Sequence, residues 1–129
     1  MPATVFDASV ILAAVLDEPG GEAVYDMTGR ACISAVNVAE VYTYAAVNDL
    51  PTDALDGFFV KTGIIIIPFD EDQAVAAGGL AAVTRKAGLS LGDRSCLALA
   101  LTQKAEVLTA DRPWKEVAAD SGVNIMLLR

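Results

Sequence analysis

The segment on which the fold turns is Gly63-Ile64-Ile65-Ile66-Ile67-Pro68: four β-branched residues in succession, free of charge, introduced by glycine and closed by proline. It reads as a strand with apolar side chains on both faces, which suits a sheet covered on both. Toward the C-terminus a helical stretch follows from about Glu71 to Ala87, with a candidate break at Gly78-Gly79 and Gly88 in the usual stop position. Asp93 to Lys104 is a further apolar helix, Glu106-Val107-Leu108-Thr109 a strand, Arg112 to Asp120 a last helix and Asn124 to Leu128 a final strand. Toward the N-terminus, a helix from Thr52 to about Val60 carries Leu55, Phe58 and Phe59 as a core-facing stripe. Before it, Ser34 caps a long helix that runs to about Asn48 and is blocked by Pro51. Thr4-Val5-Phe6 and Ala31-Cys32-Ile33 are short strands. Between them lie the apolar helix Ala8 to Leu16, the loop Pro19-Gly20-Gly21 and a short helix ending at Gly29. Strands alternating with helices in this way predict one α/β domain over residues 1–129, a five-stranded parallel sheet flanked by helices on both faces.

The totals exclude several kinds of chemistry. With 129 residues, 54% of them hydrophobic, the chain has a core for one domain and little length for two. No apolar run approaches the roughly 18 residues that span a bilayer. Met1-Pro2-Ala3-Thr4 lacks the basic and apolar regions of a secretory signal, so a soluble cytoplasmic protein with no membrane partner is expected. Cys32 and Cys96 lie far apart in apolar stretches, as buried reduced thiols do, rather than as a disulfide or zinc site would. There is no histidine, which removes imidazole bases, relays and ligands. The net charge is −8, with 17 acids against 9 bases. Such a chain binds nucleic acid only where bound cations and a local basic patch supply the attraction.

In a parallel sheet, ligands bind beyond the carboxyl ends of the strands, at a switch in strand order. The residues there are Asp7, Ser34, Asp70, Thr109 and Asp111. Singly, Asp7, Ser34 and Asp111 read equally well as helix caps, and Ser90 with Asp93 has the form of a capping box. Glu40 is different. It lies mid-helix among apolar neighbours, shares its face with Asn37 and Tyr44, and has no capping role. Helical side chains lean toward the N-terminus, so its carboxylate tilts toward the strand ends. Crowded carboxylates destabilise a fold unless a cation offsets them, and oxygen-only donors favour Mg²⁺ or Mn²⁺. Composition and spacing thus point to a divalent-cation site; they leave the substrate open.

These residues resemble those of the PIN-domain ribonucleases, above all the VapC-type toxins of toxin–antitoxin pairs. Val5-Phe6-Asp7-Ala8-Ser9 is similar to that family's first strand with its metal-binding Asp. Ile33-Ser34-Ala35-Val36-Asn37-Val38-Ala39-Glu40-Val41 is similar to its second motif, and Leu91-Gly92-Asp93-Arg94-Ser95-Cys96 to its third. Leu108-Thr109-Ala110-Asp111-Arg112-Pro113-Trp114 resembles the fourth, and the order and spacing match over essentially the whole chain. The resemblance implies a single PIN-like domain that cleaves RNA with Mg²⁺ or Mn²⁺. Asp7, Glu40 and Asp93 would hold the metal, and Asp111 would complete the site, directly or through water. Ser9, Ser34, Asn37 and Thr109 would orient carboxylates or waters, and Arg94 and Arg112 would steer phosphates. The reaction implied is in-line attack by metal-activated water, leaving 5′-phosphate and 3′-hydroxyl ends. A homodimer is implied too, with a VapB-type antitoxin seated in a groove around Tyr42 to Phe59.

Two rivals compete from other classes. A catalytically inactive PIN-like binding module would keep the fold without the reaction, though four retained acids speak against it. A receiver-like phosphoacceptor domain shares Asp7, Asp70 and Thr109, but needs a lysine just past the last strand, where this chain has Leu128-Arg129. A haloacid-dehalogenase-type phosphatase needs a second Asp where Ser9 stands.

Overall fold

Side chains alternate across a strand, so the three central strands sort their residues into two cores. The computed structural model, which describes residues 2–129, shows this directly. Strand β1 (Thr4–Phe6) pairs in parallel with β2 (Ala31–Ser34) on one side and β4 (Glu106–Thr109) on the other; β3 (Ile65–Ile67) and β5 (Ile125–Leu127) complete the order β3-β2-β1-β4-β5. Val5, Cys32 and Val107 lie in register and pack against α5 (Glu71–Val83), α6 (Leu91–Gln103) and α7 (Arg112–Val117). Phe6, Ile33 and Leu108, one residue on, face α1 (Ala8–Val15), α2 (Gly21–Val24), α3 (Ala35–Val47) and α4 (Asp53–Thr62). Both faces are covered by helices. Leu55 and Phe58 enter the second core as expected, with Phe59 packed at its margin.

Helix α6 is deeply enclosed: Gly92 and every residue from Ser95 to Ala100 are buried. Its C-terminus lies three residues before β4, so its N-terminus returns to the carboxyl end of the sheet. Helix α3 starts at that same end, directly after β2.

Three details depart from the sequence reading. The isoleucine run ends up at the sheet edge rather than between covered strands, leaving Ile65 53% and Ile66 42% exposed. Strand order, a tertiary property, decides this. Gly78 and Gly79 do not interrupt α5, which is continuous to Val83 because Ala77 and Leu80 anchor its buried face on α6. The sixth helix begins at Leu91, not Asp93, with Ser90 as its cap. Cys32 and Cys96 are buried and unbridged. Among the described residues, no helix is long and apolar enough to cross a membrane.

Candidate active site

The strand order reverses direction at β1, where β2 and β4 flank it on opposite sides. Asp7, Ser34 and Thr109 continue the alternation of Val5, Cys32 and Val107, so all three fall on the α6 side of the sheet at its carboxyl end. Parity alone brings them to one place.

Asp7 precedes α1 in the N-cap position, yet its side chain makes no cap hydrogen bond. Instead Ser9 Oγ donates to Oδ1 at 2.5 Å and Thr109 Oγ1 donates to Oδ2 at 2.6 Å. The two hydroxyls are themselves oriented: Ser9 Oγ accepts from the Ala110 amide at 2.9 Å, and Thr109 Oγ1 from the Asp111 amide at 3.1 Å. Burial raises the Asp7 carboxyl from its ordinary 3.8 to about 6, against the opposing pull of these hydroxyls and of the Val10 and Ser9 amides.

Glu40 arrives from α3. Asn37 Nδ2 donates to its Oε1 at 2.7 Å and to the Gly92 carbonyl, on α6, at 3.1 Å. Both partners are pure acceptors, which fixes the amide's orientation and leaves the buried Asn37 Oδ1 without a partner. The Glu40 pKa is raised, chiefly by burial and further by the charge of Asp93, while Asn37 lowers it. Asp93 sits in the first turn of α6, where the capping box is formed: Oδ2 accepts from the Ser90 amide and Ser90 Oγ from the Asp93 amide, both at 3.1 Å. Capping takes up one carboxylate oxygen and leaves the other.

Cys96 lies one turn further along α6. Its thiol is pushed well above the ordinary thiol range, first by burial, then by the charges of Asp7, Asp93 and Glu40, with Cys32 contributing last. All three acids thus lie near enough to Cys96 for their charges to bear on its thiol, and Asp93 bears on Glu40 as well. They do not touch: among the described residues no three His, Cys, Asp or Glu side chains close into a ligating cluster. Each is instead held by a donor of its own.

The other candidates fall into place less centrally. Asp111 is exposed and joins the group through its main-chain amide; its carboxylate caps nothing on α7. Ser34 Oγ accepts from the Val36 amide and caps α3. Asp70 is an ordinary cap, accepting from the Gln73 amide at 2.9 Å. Arg94 turns inward: Nη1 donates to the Ala77 carbonyl at 2.9 Å and Nε to that of Leu89, tying α6 to α5. Arg112 donates to the Arg129 carbonyl at 2.8 Å.

The donor set is all oxygen and all negative or neutral. Together with the orphaned Asn37 Oδ1 it suits a hard divalent cation, the species such a set selects. Thr109 offers a test of how strongly Asp7 depends on its hydroxyl partners. Thr109→Val keeps the shape but leaves Asp7 Oδ2 and the Asp111 amide without their partner. The variant is expected to lose about 1–3 kcal/mol of stability and about 10–100-fold in Mn²⁺ affinity, read by thermal melting and calorimetry. Unchanged affinity would remove Thr109 from the site.

A family model described as "PIN domain" matches residues 4–120 of this chain. No curated protein matches it in sequence. Solved structures of similar fold include DNA-bound VapBC from Salmonella typhimurium, with a TM-score of 0.78 and 18% identity over the whole of both chains. FitAcB from Neisseria gonorrhoeae superposes with a TM-score of 0.72 at 20% identity, covering 95% of this chain and 96% of the other. VapBC-5 from Mycobacterium tuberculosis, a member of the VapBC family of toxin–antitoxin systems, gives 0.67 at 22%, covering 99% of each. At these identities the likeness is one of fold.

Proposed function

The chain belongs to the PIN-domain family, and from that premise we propose that it is a Mg²⁺- or Mn²⁺-dependent endoribonuclease, the toxin of a type II toxin–antitoxin pair acting in the cytoplasm. The observation that carries this reading is Asp7. It occupies a cap position without a cap hydrogen bond, and its carboxylate is kept in a costly, desolvated setting by two hydroxyls that are each held in turn by a main-chain amide. The buried carboxylate itself opposes folding at neutral pH. Perturbed acids at a sheet's carboxyl end are where catalytic groups collect.

In this reading Asp7, Glu40 and Asp93 hold the cation, and Asp111, with no cap to form, completes the site from the rim. Bound there, the cation supplies Lewis acidity, lowering the pKa of a water and offsetting charge on the phosphodiester. The protein's own part is orientation. Ser9 and Thr109 fix the direction of both Asp7 oxygens, Asn37 fixes Glu40, and Ser90 fixes Asp93. Cation charge also answers the difficulty that a chain of net charge −8 poses for RNA binding. In this reading the exposed Arg112, next to Asp111, meets a flanking phosphate, while Arg94 bonds the Ala77 carbonyl of α5.

The relatives of similar fold occur in complexes named VapBC, and an antitoxin of that type is the partner proposed for this chain. An apolar groove lined by Leu12, Leu16, Tyr44, Leu50 and Leu55 runs between α1 and the α3–α4 turn, and it suits the apolar face of an antitoxin helix. A homodimer is part of the same proposal.

The test is incubation of the purified protein with total RNA in Mg²⁺, in Mn²⁺ and in EDTA, with the cut ends sequenced. Discrete cuts carrying 5′-phosphates in either metal and none in EDTA are expected. No cut in any condition, together with no metal-induced rise in melting temperature, would overturn the nuclease reading in favour of a binding module.

A further inference from the structure

Glycine disfavours helices, yet Gly92 occupies the second position of α6, the most buried helix of the fold. Its φ is not positive, so conformational freedom is not the reason for its presence. Space is. A Cβ built on Gly92 would stand 2.6 Å from Glu40 Oε1 and closer still to Oε2 and Cδ. The carboxylate of Glu40 therefore lies across the bare backbone of Gly92. Asn37 fastens both, donating one hydrogen to Glu40 Oε1 and the other to the Gly92 carbonyl.

We propose that Gly92 is a positioning residue for Glu40: the absent side chain is the opening through which that carboxylate reaches the site, and the Asn37 amide locks it against α6. This rests on the reading that Glu40 holds a divalent cation. The proposal separates stability from function. The atoms a methyl group would strike belong to the far end of a flexible side chain, which can rotate away at little cost, and alanine is the better helix former. The fold tolerates the change; the carboxylate cannot remain where it is.

The experiment is Mn²⁺ titration by calorimetry, with thermal melting, on the full chain and on Gly92→Ala, Glu40→Gln and the double variant. Gly92→Ala is expected to melt within a few degrees of the parent and to bind Mn²⁺ about 10-fold more weakly or worse, as loss of an outer-sphere support does. Glu40→Gln is expected to weaken binding by itself. The double variant should bind no more weakly than the worse single, because both remove the same carboxylate from the same place. Parent-like Mn²⁺ affinity in Gly92→Ala, or additive losses in the double variant, would overturn the positioning role while leaving Glu40 a ligand. Unchanged affinity in Glu40→Gln would instead remove Glu40 from the site, and this proposal with it. If Gly92→Ala melts far lower than the parent, Gly92→Ala with Glu40→Ala must restore the melting temperature, since the clash is with that side chain; failure to restore it would overturn the proposal.

Discussion

Asp7→Asn is expected to abolish RNA cleavage and, in the absence of metal, to make the protein more stable at neutral pH. The two effects have one cause. Loss of an outer partner of a metal ligand typically costs about 10–100-fold in affinity or activity, and loss of a charged ligand itself should exceed that. Asparagine keeps the volume, and the site can receive it. Ser9 and Thr109 each have a hydroxyl oxygen able to accept a second hydrogen bond, and the two oxygens lie 3.3 Å apart, so a displaced hydroxyl proton has an acceptor within reach. The stability gain follows from linkage. Folding raises the Asp7 carboxyl from 3.8 to about 6, so the native state holds that proton more tightly than the unfolded chain does. The group's effect on folding is nil below about pH 4, grows steadily more unfavourable as pH rises from about 4 to about 6, and is constant above. At pH 7.5 it opposes folding by about 1–3 kcal/mol, allowing for partial solvent access. Glu40, raised for the same chief reason, adds in the same direction. Melting of metal-free parent and variant at pH 4.5 and 7.5 checks this: the difference should favour the variant at 7.5 and shrink at 4.5. A variant that melts lower at both pH values would mean that Asp7 holds the fold together, and that its hydroxyl contacts exist for stability.

That Asp7 and the starts of the helices carrying Glu40 and Asp93 lie at one end of the sheet was legible in the sequence, and the reason is simple geometry. Parallel strands and returning helices send every strand end and every crossover-helix start to the same side, and a period of two selects which of those residues face α6. What could not be read was the difference between Asp7 and Asp70. Both are aspartates that follow a strand and precede a helix, and their local sequences carry the same cap signal. Asp70 accepts from the Gln73 amide, as a cap does; Asp7 instead accepts from the hydroxyls of Ser9, on its own helix, and of Thr109, and only β4 lying beside β1 puts the latter hydroxyl within reach. The same limit hid the fate of the isoleucine run, since nothing local says that β3 is an edge. It hid the inward turn of Arg94 toward α5 as well. Gly92 was hidden too: a helix read as starting at Asp93 leaves the glycine outside it, and only its place inside α6, with Glu40 across it, reveals the close approach.

The Asp93 findings remove a choice that the sequence seemed to force. A capping box and a place among the site acids looked like alternatives, but the box engages Oδ2 alone. The amide of Ser90 then acts as the restraint on the carboxylate, and the cap becomes the means by which α6 presents its acid at a fixed angle.

Gly21→Ala is expected to be the most destabilising small substitution in the chain, and it tests the fold rather than the site. Here too the φ of the glycine is not positive, and the constraint is contact. A Cβ on Gly21 would stand 2.7 Å from the carbonyl carbon of Ala13 and closer still to its oxygen, with the Ala14 nitrogen 3.1 Å away. These are main-chain atoms of α1, itself packed against the sheet, α2 and α3, with Val10, Ile11 and Ala13 wholly buried. Unlike the Glu40 carboxylate that overlies Gly92, they cannot rotate aside. Either α2 lifts from α1, exposing the buried Val24, or α1 shifts and takes Asp7 with it. Overpacking of this kind costs about 1–3 kcal/mol where side chains can adjust, and a backbone obstacle puts Gly21→Ala at or above the upper end. Chemical denaturation should show the midpoint falling with the slope unchanged. The contrast with Gly92→Ala is the decisive point. Two buried glycines, each given the same methyl group, should part company, one losing stability and the other metal affinity, because one faces a backbone and the other the end of a glutamate.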